Sequence, residues 1–142
     1  MSSSSPCFAL GVSLSTQSCS GVLINPATGD IPWADSINFD QAFGDRYGLR
    51  SGFVNLGNAE VYSSPMMWVH ALDLLLRHLA AALGKSGMKQ IGAIGGAGQQ
   101  HGTVYLSAAG LQSLSSFQPQ LPMHEQIGGA FFSRKLSPIW MD

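Results

Sequence analysis

Ser63-Ser64-Pro65 and the leucines at 72, 75, 76, 79 and 83 constrain this chain more than any other stretch. Leucines at these spacings fall on one stripe of an α-helix. Ser64 stands at the N-cap, and Pro65 at the first helical position, where its missing N–H costs nothing. Gly84 suits the end of the helix, and His70, Asp73 and Arg77 mark the opposite, polar stripe. Such a helix must bury its leucines against something, and the flanking sequence supplies strands. Phe8-Ala9-Leu10-Gly11-Val12 is a buried strand, and Gly21-Val22-Leu23-Ile24 is its hairpin partner across a Ser/Thr/Gln-rich connection. After the turn Asn25-Pro26-Ala27-Thr28-Gly29-Asp30, residues 31–39 form a third strand. Lys89-Gln90-Ile91-Gly92-Ala93-Ile94-Gly95 and Thr103-Val104-Tyr105-Leu106 are two more beyond the helix, and residues 138–142 form a last one. Residues 40–64 lack a sustained period and are expected to be a long connection, and 110–127 an irregular crossing. Strands, then a helix, then strands predict an α/β domain with a mixed sheet.

A chain of 142 residues fits one domain with an ordinary core. Apolar residues make up 45% and charged residues 11%, the latter far below the roughly 25% of an average domain. Two surfaces meet that balance: one covered by further chain or a partner, and one rich in Ser and Gly that is simply weakly charged. A net charge of −1 provides no basic stripe, so neither nucleic acid nor an anionic membrane is an expected partner. No run of about eighteen apolar residues is present, and residues 1–7 are a Ser-rich start, expected to be disordered and without the features of a signal peptide. The expected location is cytoplasmic. Cys7 and Cys19 are expected to be reduced thiols, since an extended strand between them holds them apart.

Chemistry concentrates in two places. Gly95-Gly96-Ala97-Gly98 admits close backbone approach, and Gln99, Gln100 and His101 then offer paired amide donors and acceptors with a ring nitrogen. That set suits a polyhydroxy ligand, and equally suits buried backbone groups in need of partners. In the turn Leu14-Ser15-Thr16-Gln17-Ser18, successive backbone N–H groups and the hydroxyls of Ser15, Thr16 and Ser18 are able to hold phosphate oxygens, or to form an ordinary Ser/Thr hairpin. It is not a Walker A loop. His70 and His78 are expected at solvent-facing or boundary positions of the helix and His124 in a loop, with no metal site among them. Trp68, with Met66 and Met67, is expected in the core, and Trp33 and Trp140 in packed strand settings.

Three segments in order resemble the FGGY carbohydrate kinases, in the branch that includes xylulose kinases. They are Leu10 to Ser18, similar to the family's phosphate hairpin; Ser63-Ser64-Pro65-Met66-Met67-Trp68-Val69-His70-Ala71-Leu72-Asp73; and Gly96-Ala97-Gly98-Gln99-Gln100-His101-Gly102, followed by Ile139-Trp140-Met141-Asp142. The resemblance covers residues 8–142. It implies the N-terminal part of an actin-like ATPase (ribonuclease H-like) domain, in which ATP and sugar meet between two such domains. By the same resemblance Gln100 and His101 contact the sugar, Ser15, Thr16, Gln17 and Ser18 face the nucleotide phosphates, ATP and Mg²⁺ are the cofactors, and D-xylulose is phosphorylated at its 5-hydroxyl, with a carboxylate accepting the proton.

Two departures qualify that expectation. Ser13 stands where the family has an aspartate that organises metal and phosphate, and residues 51–60 are shorter than the family's substrate rim. The family's general-base aspartate and most of its ATP-binding domain lie in sequence these 142 residues do not contain. No catalytic residue is therefore assigned here, and the chain is expected to be inactive alone, with the C-terminal kinase domain or an intact kinase as partner. The alternative is a noncatalytic product that binds sugar or associates with an intact kinase.

Overall fold

A computed structural model describes residues 7–141. Residues 1–6, most of the Ser-rich start, and Asp142 lie outside it. Cys7, grouped by sequence with that start, donates its N–H to the Gln90 carbonyl (2.9 Å) and its thiol to Gln90 Oε1 (3.1 Å).

Strands β1 (Phe8–Leu14), β2 (Ser18–Ile24) and β3 (Trp33–Asn38) form the expected antiparallel meander. Helix α1 (Phe39–Tyr47) follows at once, where a connection was expected. Its signals are local: the Asn38 side chain accepts from the Gln41 N–H, Asp40 lies in the first turn, Arg46 in the last, and Gly48 caps the end at φ 64°. Strands β4 (Val54–Gly57) and β5 (Glu60–Ser63) then pair as a hairpin, so residues 40–64 carry three elements rather than none. Helix α2 (Pro65–Met88) starts at the predicted Ser64-Pro65, and Gly84 interrupts it with φ 63° and ψ 177°. That backbone conformation is open to glycine and strained for other residues.

Strand β6 (Ile91–Gly98) returns beside β1 and parallel to it, giving a mixed four-stranded sheet in the order β3-β2-β1-β6. The rest of the chain holds α3 (Ala108–Ser113), α4 (Met123–Gln126), two single 3-10 turns and β7 (Ser137–Pro138), which completes a small second sheet with β4 and β5. The expected strand at 103–106 is instead an extended segment with one bridge, Leu106 to Phe132. It has no neighbouring strand to form a ladder with.

The core lies between α2 and one face of the large sheet. Met67, Ala71, Leu75 and Leu79, each four residues from the next, are buried on the helix and meet Leu10, Cys19, Leu23, Ile37 and Phe39. Trp33 and Trp68 pack at its margin as expected, while Trp140 is 56% exposed. Burial pushes the Cys19 thiol up to about 11, consistent with a packed, unreactive cysteine. By length and composition α2 could cross a bilayer, a possibility the sequence reading set aside. Its packing on the sheet and its buried His70 and Asp73 mark it as a core helix.

The sheet's other face is lined by small side chains, among them Gly11, Ser13, Ser20, Gly95 and Ala97. Leu79→Ala should cost about 2–5 kcal/mol of stability, whereas loss of the exposed Asp35–His78 pair through His78→Ala should cost under about 1 kcal/mol. Urea unfolding of both variants checks this. Equal effects would mean that α2 is not the core element.

Candidate functional site

Parallel pairing puts the C-terminal ends of two strands side by side, and in α/β sheets that is where ligands bind. Here Leu14 of β1 pairs with Gly98 of β6, so the 15–18 hairpin and the Gln99–His101 turn emerge from the same edge. Between them lies a cavity of ≈ 340 Å³ lined by Ser13, Leu14, Ser15, Thr16, Gly98, Gln99, Gln100, His101 and Trp140.

Of the two predicted sugar contacts, Gln100 and His101 both line this cavity. His101 sits at φ 56°, the left-handed region that is uncommon for a residue with a side chain and often found at functional turns. Gln99 was noticed in the sequence but not selected as a site residue. Its Oε1 and Nε2 are both buried without a hydrogen-bond partner. A buried amide left this way costs on the order of 1–3 kcal/mol, and a ligand that pairs with it removes that cost.

The hairpin is more closed on itself than the sequence suggested. Ser15 Oγ accepts from the N–H groups of Ser18 (3.2 Å) and Gln17 (3.4 Å), and lies 3.2 Å from Ser18 Oγ. The backbone donors expected to hold a phosphate are thus partly taken by Ser15. Ser15 and Thr16 reach the cavity, Gln17 lines a neighbouring cleft with Phe53 and Trp140, and Ser18 lines neither. Trp140 divides the two clefts, its indole N–H donating to Thr16 Oγ1 (3.0 Å). Its place in the chain, 124 residues from Thr16, hid that contact from the sequence.

Gly52 locks the hairpin from behind. Its N–H donates to Asp40 Oδ1 (2.8 Å), its φ is +88°, and a Cβ there would stand 2.4 Å from the Thr16 carbonyl oxygen. Mg²⁺ prefers an octahedron of oxygens that includes one or two carboxylates. Among the described residues no carboxylate lines the cavity, and none form a metal-binding cluster. Thus the described donor set by itself does not fit Mg²⁺. It fits an uncharged polyhydroxy ligand.

A second polar cluster lies on the far side of α2 from the sheet. His70, expected at a solvent-facing or boundary position, and Asp73, expected on the same polar stripe, are buried there because the 121–127 segment packs over them. Asp73 accepts from the N–H groups of Met123 (3.3 Å) and His124 (3.4 Å) and bonds the His124 ring. The Tyr47 hydroxyl meets His70 Nδ1 at 2.5 Å. Burial pushes the Asp73 carboxyl up, but the His124 ring and the two N–H donors outweigh it and hold it below its usual 3.8. Burial, aided by Arg46 and His124, holds His70 below its usual 6.5.

Both shifts act in one direction. The folded state binds fewer protons than the unfolded chain, so stability falls as pH drops below 6.5 through His70, and further below 3.8 through Asp73. The melting midpoint should therefore decline steadily from pH 7 to pH 3. At pH 7, Asp73→Asn should cost about 1.5–3 kcal/mol, the worth of charge-assisted hydrogen bonds. An unchanged midpoint in that variant would contradict the cluster's structural role. Gly52→Ala should shift amide resonances of residues 15–18, because backbone must move to admit the methyl group; unmoved resonances there would contradict the lock.

No family model matches the chain. It is 37% identical over 134 residues to the xylulose kinase of Mus musculus, covering 94% of this chain and 23% of that protein. It is 34% identical over 135 residues to xylulose kinase 2 of Arabidopsis thaliana, again covering 94% of this chain and 23% of the relative. The chain thus spans about a quarter of the length of these relatives. Among solved structures, a xylulose kinase from Brucella ovis matches 72% of this chain and 18% of its own, with a TM-score of 0.57 and 24% identity. That likeness establishes the α/β mixed-sheet fold as part of the actin-like ATPase architecture. Over nearly its whole length the chain is a homologue of the xylulose kinases, a branch of the FGGY carbohydrate kinases, and corresponds to a part of their N-terminal region.

Proposed function

We propose that this chain is a sugar-recognition unit of a xylulose-kinase-like enzyme, and that it binds an open-chain pentulose such as D-xylulose between the 15–18 hairpin and the Gln99–His101 turn. The observation that carries this reading is the buried, unpartnered carboxamide of Gln99 beside Gln100 and His101 in a polar cavity lined by no described carboxylate, Lys or Arg. Sugar hydroxyls donate and accept at once, as carboxamides do. The two together satisfy each other where a charged ligand would lack a counter-ion.

Phosphoryl transfer from ATP with Mg²⁺ belongs to the same proposal only in the company of groups outside this cavity. In protein kinases and P-loop enzymes carboxylates hold the metal, and among the described residues none lines this cavity. When bound nearby, ATP would supply the phosphoryl group. The roles this chain's own residues take are to orient the acceptor sugar through Gln99, Gln100 and His101, and to close the cavity with Trp140. Ser15, Thr16, Gln17 and Ser18 are at most the rim facing the nucleotide. A cytoplasmic location is part of the same proposal, in keeping with two free cysteines.

One observation favours a second reading, association with an intact kinase. Strand β6 is an edge of the sheet, eight residues long and without charge or proline, and an edge of that kind invites pairing with another chain.

Titration of the 142-residue chain with D-xylulose, followed by amide shifts, should show saturable binding. Gln100→Ala or His101→Ala should each weaken it about tenfold, the loss expected when a hydrogen-bonding pair is broken. With D-xylulose and MgATP, ADP release by the chain alone should stay at background. Failure to bind D-xylulose, together with co-elution with an intact xylulose kinase on a sizing column, would replace the sugar-binding reading with the association reading.

A further inference from the structure

A larger cavity of ≈ 470 Å³ opens at the first turn of α2 and shares no residue with the sugar cleft. Its walls come from three separate parts of the chain: the end of α1, the start of α2 and residues 129–136. Met66, Phe132 and Leu136 line it with apolar surface, while Arg46 and Lys135 bring two cations to it and no described carboxylate lines it. The ion pairs among the described residues are His78–Asp35 and His124–Asp73, so no described carboxylate neutralises either cation, and Arg46 rests over the Tyr47 ring, 5.5 Å from its centroid.

The cavity also holds a hydroxyl that is not spent on capping the helix. Ser64 is 6% exposed and occupies the N-cap of α2, yet its hydroxyl makes no capping bond. The partial positive charge of the helix N-terminus is directed to the same place. Two cations without a described carboxylate partner, a hydroxyl that caps no helix N–H and a helix N-terminus all favour negative charge, and the apolar walls favour a hydrocarbon or aromatic body. A volume near 470 Å³ falls within the roughly 300–1,000 Å³ range of small-molecule pockets.

We infer that this cavity is a second binding site, for a small organic anion with an apolar body and a single carboxylate or phosphate head held by Arg46, Lys135 and Ser64. The site does not depend on the sugar-binding proposal, because the two cavities have no lining residue in common. His70 lines the wall and the Tyr47 hydroxyl is already bonded to it, so an occupant here also bears on the polar cluster under α2.

The test uses three probes of similar shape on the 142-residue chain, followed by amide shifts: benzoate, phenyl phosphate and neutral benzamide. At least one of the anions should saturate and shift Met66, His70 and Phe132, with benzamide binding about tenfold or more weakly. The stronger of the two anions identifies the head group as carboxylate or phosphate. Replacing both cations (Arg46→Gln with Lys135→Gln) should weaken the anion about tenfold or more while lowering the melting midpoint only slightly, because both side chains are exposed. Saturating D-xylulose should not displace it. The proposal is overturned if neither anion saturates, if benzamide binds as well as the anions, or if the double variant binds them unchanged.

Discussion

The parallel pairing of β1 with β6 is the constraint on which the rest of this molecule depends. Parallel neighbours cannot be joined by a tight turn; the connection has to cross over and pack back onto the sheet. Here α2 is the packed part of that connection. Its row of Met67, Ala71, Leu75 and Leu79 covers β1, β2 and β3 on one face, and that burial holds β6 in register from Leu10–Ile94 to Leu14–Gly98. Because both strands run the same way, the turn after each opens at the same edge. A hydrophobic stripe on a helix thereby sets the distance between two polar loops.

The two cavities answer to different chemistry for the same reason: what lies on each side of α2. On the sheet side the described strand-end residues bring amides, hydroxyls and an imidazole together, with no carboxylate, Lys or Arg among them. On the opposite side, α1 and residues 129–136 bring Arg46 and Lys135 over apolar walls. The buried polar groups between, His70 and Asp73, are satisfied by Tyr47 and by the 121–127 segment. A fully partnered buried cluster of this kind holds neighbouring segments in one arrangement, and it ties the start of α2 to a part of the chain 50 residues away.

What was legible in the sequence was what is decided locally. The meander, the Ser64-Pro65 helix start, the glycine at position 84 and the Gly-Gln-Gln-His turn all follow from side-chain spacing and backbone freedom. Helix α1 was legible too, and was missed: Phe39, Phe43 and Tyr47 stand four apart behind a capping Asn38, but the surrounding Gly, Asn and Ser obscured so short a period. Other features depend on distant partners. His70 and Asp73 carry the mark of an exposed face until α4 covers them. Thr103 to Leu106 has strand-forming residues and no ladder to join. The contact of Trp140 with Thr16, and the Ser15 hydroxyl folding back into its own turn, depend on how segments meet rather than on what they contain. The unpartnered Gln99 was visible as a residue type, but its burial was not.

The central claim is that the hairpin and the Gln99–His101 turn form one ligand cleft because β1 and β6 run parallel in this register. The most direct measurement is a set of interstrand nuclear Overhauser contacts across β1 and β6, collected with and without D-xylulose. The account predicts contacts linking Val12 to Gly96 and Leu14 to Gly98, and ligand-induced shifts that appear together in residues 15–17 and 99–101 at one concentration midpoint. Absent contacts, or shifts confined to one of the two segments, would contradict it.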